Sequence, residues 1–145
     1  MVLALLVHRA LPLGEPVDLT TVCFRGGDSP DRASARKGAA ELAAAAPGRL
    51  WRLIEVDVTL DMVEEARPRV LGLMCPANTY MDFNIGAALW FAASARGRCV
   101  FHRSAGDGGG DDYGVPEPES NFQSRARVVL MLSLIHISEP TRPID

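Results

Sequence analysis

The chain has 145 residues, of which 48% are hydrophobic and 23% charged, with a formal net charge of −3. That is enough for one domain with a real core, and the balance is that of a globular chain rather than a disordered one. The small negative charge gives no electrostatic footprint for nucleic acid or an anionic membrane, so neither is expected as a partner.

The opening MVLALLV is apolar, but it is too short to span a bilayer and lacks the charged start of a signal peptide. It reads as a core helix over 1–10, and because no cap precedes it the chain is expected to be clipped at this end. LPLGEP then makes a turn. Residues 17–24, VDLTTVCF, are β-branched and mostly apolar, which predicts a strand buried on both faces. RGGDSPD forms a loop in which Ser29 or Asp31 can cap an Ala-rich helix over 31–46, stopped by Pro47 and Gly48. Residues 51–58, WRLIEVDV, alternate as a second strand. Thr59 caps a short acidic helix, LDMVEEAR, and PRVLGLM runs on to a break at CPANT. Residues 82–96 carry the strongest helical pattern, with Ile85, Leu89 and Ala92 or Ala93 on one face. Residues 103–120 are Gly, Asp, Pro and Glu with almost nothing apolar and read as a mobile insertion. ARVVLM, 126–131, is the predicted third strand.

Strands alternating with helices predict an α/β fold, a parallel sheet with helices on both faces. Ligands of such folds bind beyond the carboxyl ends of the strands. FRGGDSPD lies at such a place, although it lacks both GxGxxG and the lysine of a P-loop. Glu55 and Asp57 share one side of a strand, either as paired carboxylates or, more simply, as a solvated strand edge. His8 and His102 have no serine or cysteine at triad spacing. Asp82 and Asn84 open a helix and read as capping groups. Cys23, Cys75 and Cys99 are widely separated with no metal-ligand spacing, which predicts buried, unreactive thiols in a reducing compartment.

Three stretches carry more than composition. EPVDLTTVCF, SPDRASARKGAAELAAAAPGRLWRLIEVDVTLDMV and LMCPANTYMDFNIGAALWFAA resemble, in order and spacing, the synthetase domain of the glutamine-hydrolysing asparagine synthetase family. The resemblance covers roughly residues 1–131 and is weakest through 103–120. It implies a Rossmann-like parallel sheet of the PP-loop ATP pyrophosphatase type, here truncated at both ends. The implied chemistry uses ATP and Mg: aspartate is adenylated and then attacked by glutamine-derived ammonia, in the cytoplasm. Phe24 matches the position that packs on adenine, with Cys23 and Arg25 beside it. No catalytic or metal-binding residue of the family falls inside the chain. The family's SGGIDS loop is expected just before residue 1, and GxGADE just after the strand ending at Met131.

Residues 132–142, LSLIHISEPTR, read codon for codon like a translated transposase-based sequencing-library adapter, so 132–145 is set apart from the fold and His136 from any site. The fragment is expected to be inactive and, with an open apolar sheet edge, prone to aggregate. The other readings are a non-catalytic interaction module that kept the fold, motivated by CPANTYMD where the synthetases carry an ETYD-type segment, and an unrelated α/β nucleotide-binding module.

Overall fold

The computed structural model describes residues 1–24, 29–76, 79–104 and 116–131. In chain order these form α1 (Val2–Ala10), β1 (Val17–Cys23), α2 (Pro30–Ala45), β2 (Trp51–Asp57), α3 (Leu60–Met74), α4 (Tyr80–Ser94), β3 (Arg96–His102) and β4 (Glu119–Gln123). The strands make one sheet in the order β1-β2-β3-β4.

The α/β class holds, but the sheet is mixed. β1 and β2 pair in parallel with Val17 opposite Trp51 and Cys23 opposite Asp57. β3 and β4 add on antiparallel, with Trp51 opposite His102 and Arg96 opposite Gln123. The reason lies in the connection: α3 and α4 both lie between β2 and β3, so the chain runs back along the sheet and returns, entering β3 level with the carboxyl end of β2. Ala95 takes a left-handed conformation, φ 42°, and caps α4, whose last residue, Ser94, comes two residues before the expected end. β3 lies so close to β2 that a Cβ on Gly97 would collide with the Glu55 carbonyl, which explains a glycine inside a strand.

Local sequence accounts for most of the helices. Ser29, not Asp31, caps α2, its Oγ accepting from the Arg32 N–H at 3.2 Å, and Pro30 sits at the first helical position. Thr59 caps α3. That helix continues through Pro68 to Met74, well past its expected end at Arg67, because Val63, Ala66 and Val70 bury its inner face. Packing there outweighs the hydrogen bond the proline removes. Thr79 and Asp82 form a reciprocal capping box on α4, with Thr79 Oγ1 to Asp82 Oδ2 at 2.6 Å. The buried face of α4 is Phe83, Ala87 and Phe91, two residues and so about 200° around the helix from the expected Ile85 and Leu89.

The layers sit as expected, with helices on both faces. α1 and α2 cover one face over Val17 and Trp51. α3 and α4 cover the other over Ile54, Val56 and Cys99. β2 is central, and Trp51, Leu53, Ile54 and Val56 are all buried.

ARVVLM is not a strand. Residues 125–131 leave β4 without pairing and are exposed throughout. β4 begins at Glu119, so the last two residues of the expected insertion belong to the sheet. Residues 105–115 of that insertion, and the 132–145 segment, lie outside the described residues.

Candidate functional site

Because β1 and β2 run in parallel, their carboxyl ends share one edge, and the capped N-termini of α2 and α3 open beside them. The Val58 N–H donates to the Cys23 carbonyl at 2.8 Å and fixes the two ends together. Phe24 follows directly. Its ring meets Phe91 of α4 edge to face, with centroids 6.2 Å apart and planes at 79°. Phe24 is 37% exposed, so one flank is held while the rest faces solvent. The Cys23 side chain is buried behind it. Arg25 lies outside the described residues, as do Gly26, Gly27 and Asp28 of the Gly-rich loop.

Glu55 and Asp57 do share one side of β2, and Asp57 is exposed as a solvated edge residue would be, but Glu55 is buried. Glu55 is 2% exposed and accepts two hydrogen bonds from Arg36, 2.6 Å from Nε and 3.1 Å from Nη2, with Arg98 Nη1 at 3.8 Å. Asp57 accepts from Arg32 Nη1 at 2.5 Å, while Arg32 Nη2 donates to the Val56 carbonyl at 3.1 Å. The match is geometric. Four residues along α2 advance about 6 Å, and two residues along β2 advance about 6.6 Å. Arg32 and Arg36 therefore stand directly over Asp57 and Glu55. Both carboxylates are engaged by guanidinium groups. Among the described residues no group of His, Cys, Asp and Glu is placed to hold a metal ion. Among the described residues, then, neither carboxylate of this edge is left open to a cation.

The remaining candidates are structural. His8 Nδ1 accepts from Arg49 Nε at 3.0 Å, and its ring lies 6.1 Å from Trp51. Asp82 is taken up in its capping box, and Asn84 is exposed on the outer face of α4. Cys23 and Cys99 are buried as expected, and burial pushes the Cys99 thiol up to about 11, which keeps it inert. Cys75, by contrast, is exposed at the end of α3.

His102 closes β3 beside Ala40, Ala43 and Ala44 of α2. Burial holds its imidazole below the ordinary range, and the Glu55 carboxylate pulls it partly back. The unfolded chain takes up this proton near pH 6.5, whereas the folded chain resists it. This contribution to stability is therefore intact above that pH and lost as pH falls toward the lower folded value. The denaturant midpoint of the wild type should fall between about pH 7.5 and about pH 5.5, and His102→Gln should flatten that drop. An unchanged drop would assign the acid sensitivity elsewhere.

Comparison with known proteins adds the family context. The chain is 28% identical to asparagine synthetase domain-containing protein 1 of Homo sapiens, across 90% of this chain and 25% of that protein. The Gallus gallus protein of the same name is 32% identical, across 67% of this chain and 22% of its own length. An asparagine synthetase domain-containing protein of Drosophila melanogaster is 33% identical, across 63% and 18%. The chain thus spans about a quarter or less of the curated relatives it matches. No family model matches it, and no solved structure matches it.

Proposed function

We propose that this chain, which belongs to the asparagine synthetase domain-containing family, is part of a synthetase-like unit of PP-loop type in a longer cytoplasmic protein, whose reaction class is ATP-dependent amide transfer to aspartate in asparagine biosynthesis. One observation carries the reading. Phe24 stands half-exposed at the carboxyl edge of the parallel pair, pinned by Phe91, at the place where α/β folds take their ligands.

In this reading Phe24 is the surface on which adenine stacks. Cys23 and Arg25, its neighbours in sequence, flank that position by family match, Cys23 with its side chain buried. ATP would adenylate the aspartate carboxylate with release of pyrophosphate, and glutamine-derived ammonia would then displace AMP to form the amide. The described residues contribute the base platform and its scaffold. The metal is held by other parts of the protein, because Glu55 and Asp57 are committed to arginines. The 145-residue chain therefore binds nucleotide weakly and turns nothing over. Equilibrium dialysis with Mg-ATP should give a dissociation constant of about 1 mM or weaker. Micromolar binding would overturn this assignment of roles.

A second reading keeps the fold and drops the chemistry, making the parent protein an interaction module. CPANTYMD motivates it. Asp82, the acid of that segment, is spent on the Thr79 capping box. The two readings part on whether the parent protein releases AMP in the presence of aspartate.

A further inference from the structure

The carboxyl ends of β1 and β2 are joined by more than the strand ladder. Val58 N–H donates to the Cys23 carbonyl at 2.8 Å, and at the amino end of the pair Val17 N–H donates to the Leu50 carbonyl at 3.0 Å. Even-numbered residues of β2 therefore turn their backbone groups toward β1. The Val56 carbonyl is among them, so it lies in the seam between the strands, level with Val22 and Cys23. Arg32 Nη2 donates to that carbonyl at 3.1 Å, and Arg32 Nη1 donates to Asp57 Oδ1 at 2.5 Å. A side chain of α2 thus plugs the seam just short of Phe24.

Arg32 differs from its neighbour on the ladder. The Arg36 side chain is 38% exposed and can turn to water, whereas that of Arg32 is 3% exposed. A buried guanidinium has no aqueous alternative, so its planar fork holds its acceptors in one geometry. The Arg32 N–H donates to Ser29 Oγ at 3.2 Å, which ties the residue to the capped first turn of α2. On the other face of β2, the Val56 and Val58 side chains belong to the same buried cluster as Phe91. Phe91 is the ring that Phe24 meets edge to face. The backbone gripped by Arg32 on one face therefore carries, on the other, the packing against which Phe24 rests.

We propose that Arg32 is the positioning residue of the Phe24 platform. It holds the ends of β1 and β2 together, so that the ring keeps the pose on Phe91 in which its free flank receives a base. Arg32 acts through this backbone and not by touching the nucleotide. The inference deepens the function proposed above and rests on it. Methionine at this position keeps much of the apolar stem but no donor, so α2 stays packed while the seam loses its plug. Lysine restores a charge near Asp57 but cannot serve both acceptors as a fork.

The test measures kcat and the KM for ATP in aspartate-dependent AMP release by the longer parent protein. Loss of folded protein lowers the apparent kcat and leaves KM alone, so the two constants separate positioning from stability. Arg32→Met should raise KM about fivefold, with Arg32→Lys between it and wild type. In a Phe24→Ala background the same Arg32→Met change should alter KM less than about twofold, because the group it acts through is gone. Arg36→Met breaks the neighbouring pair on the same helix and should leave KM within about twofold of wild type. An Arg32→Met effect on KM that is absent, matched by Arg36→Met, or as large without Phe24 would overturn the positioning role. If the wild-type parent releases no AMP, it is the proposed function that fails, and para-fluorophenylalanine at position 24 then reads the ring directly. Its fluorine resonance should move in Arg32→Met and stay in place in Arg36→Met. Equal spectra in the two variants would overturn the positioning role as well.

Discussion

Replacing Arg49 with alanine is expected to cost about 3–5 kcal/mol of folding stability, a large part of what a domain of this size holds. The side chain has no exposed surface, and all of its N–H groups find acceptors. Nε donates to His8 Nδ1 at 3.0 Å. Nη1 donates to the carbonyls of Pro12 at 2.6 Å and Glu15 at 2.5 Å. Nη2 donates to the carbonyls of His8 and Leu11, both at 2.8 Å. None of these partners is a carboxylate. Two of the carbonyls lie at the C-terminus of α1, the negative end of the helix dipole, which offsets the buried charge. One guanidinium thus ties α1 and the turn before β1 to the start of β2. Alanine would leave these acceptors buried without donors. Methionine would refill the volume and recover little. Lysine, with fewer donors and no planar fork, would recover part. Denaturant unfolding of the three variants measures this directly. An Arg49→Ala chain within about 1 kcal/mol of wild type would mean the loop is held by something else.

Glu55→Ala is the second large effect, expected at about 2–3 kcal/mol. Removing one partner of a fully buried pair costs about 3–5 kcal/mol. Here the figure is lower because the Arg36 side chain is 38% exposed and Arg98 54%, so both cations can turn to water. Glu55→Gln keeps two acceptor sites at most and loses the charge, so it should fall between wild type and alanine. Combining Glu55→Ala with Arg36→Met should cost clearly less than the sum of the two single changes, since the pair is removed as a unit. Simple additivity would show that Arg36 and Glu55 are neighbours without coupling.

These two arginine systems mark where sequence reading succeeds and where it cannot. The helices and the first two strands follow from periodicity, capping residues and the Pro-Gly stop, and the structure keeps them. The salt-bridge ladder is legible in principle, since arginines four apart on a helix and carboxylates two apart on a strand advance by nearly the same distance. A solvated-edge reading fits the exposed Asp57 but misses the buried Glu55, because nothing in the local pattern marks β2 as a central strand. Arg49 carries no sequence signal at all. It answers backbone carbonyls, which every residue has, so only the path of the turn reveals it. β3 escapes the apolar pattern because Arg96, Gly97 and Arg98 interrupt it, and the glycine is there for a close backbone approach. ARVVLM has the composition of a buried strand, and the structure leaves that composition exposed. Phe24 is placed in the sequence by resemblance alone. Geometry adds the Phe91 contact and the half-exposed ring.

In the function proposed above, Phe24 marks the nucleotide edge of a synthetase-like protein. Its most direct test is AMP release by the longer parent protein, measured with and without aspartate, for wild type and Phe24→Ala. Aspartate-dependent release is expected, with the KM for ATP raised about tenfold in the variant by loss of the stacking surface. No aspartate-dependent release would contradict the synthetase reading and favour the interaction module, and release with an unchanged KM for ATP would remove Phe24 from the nucleotide site.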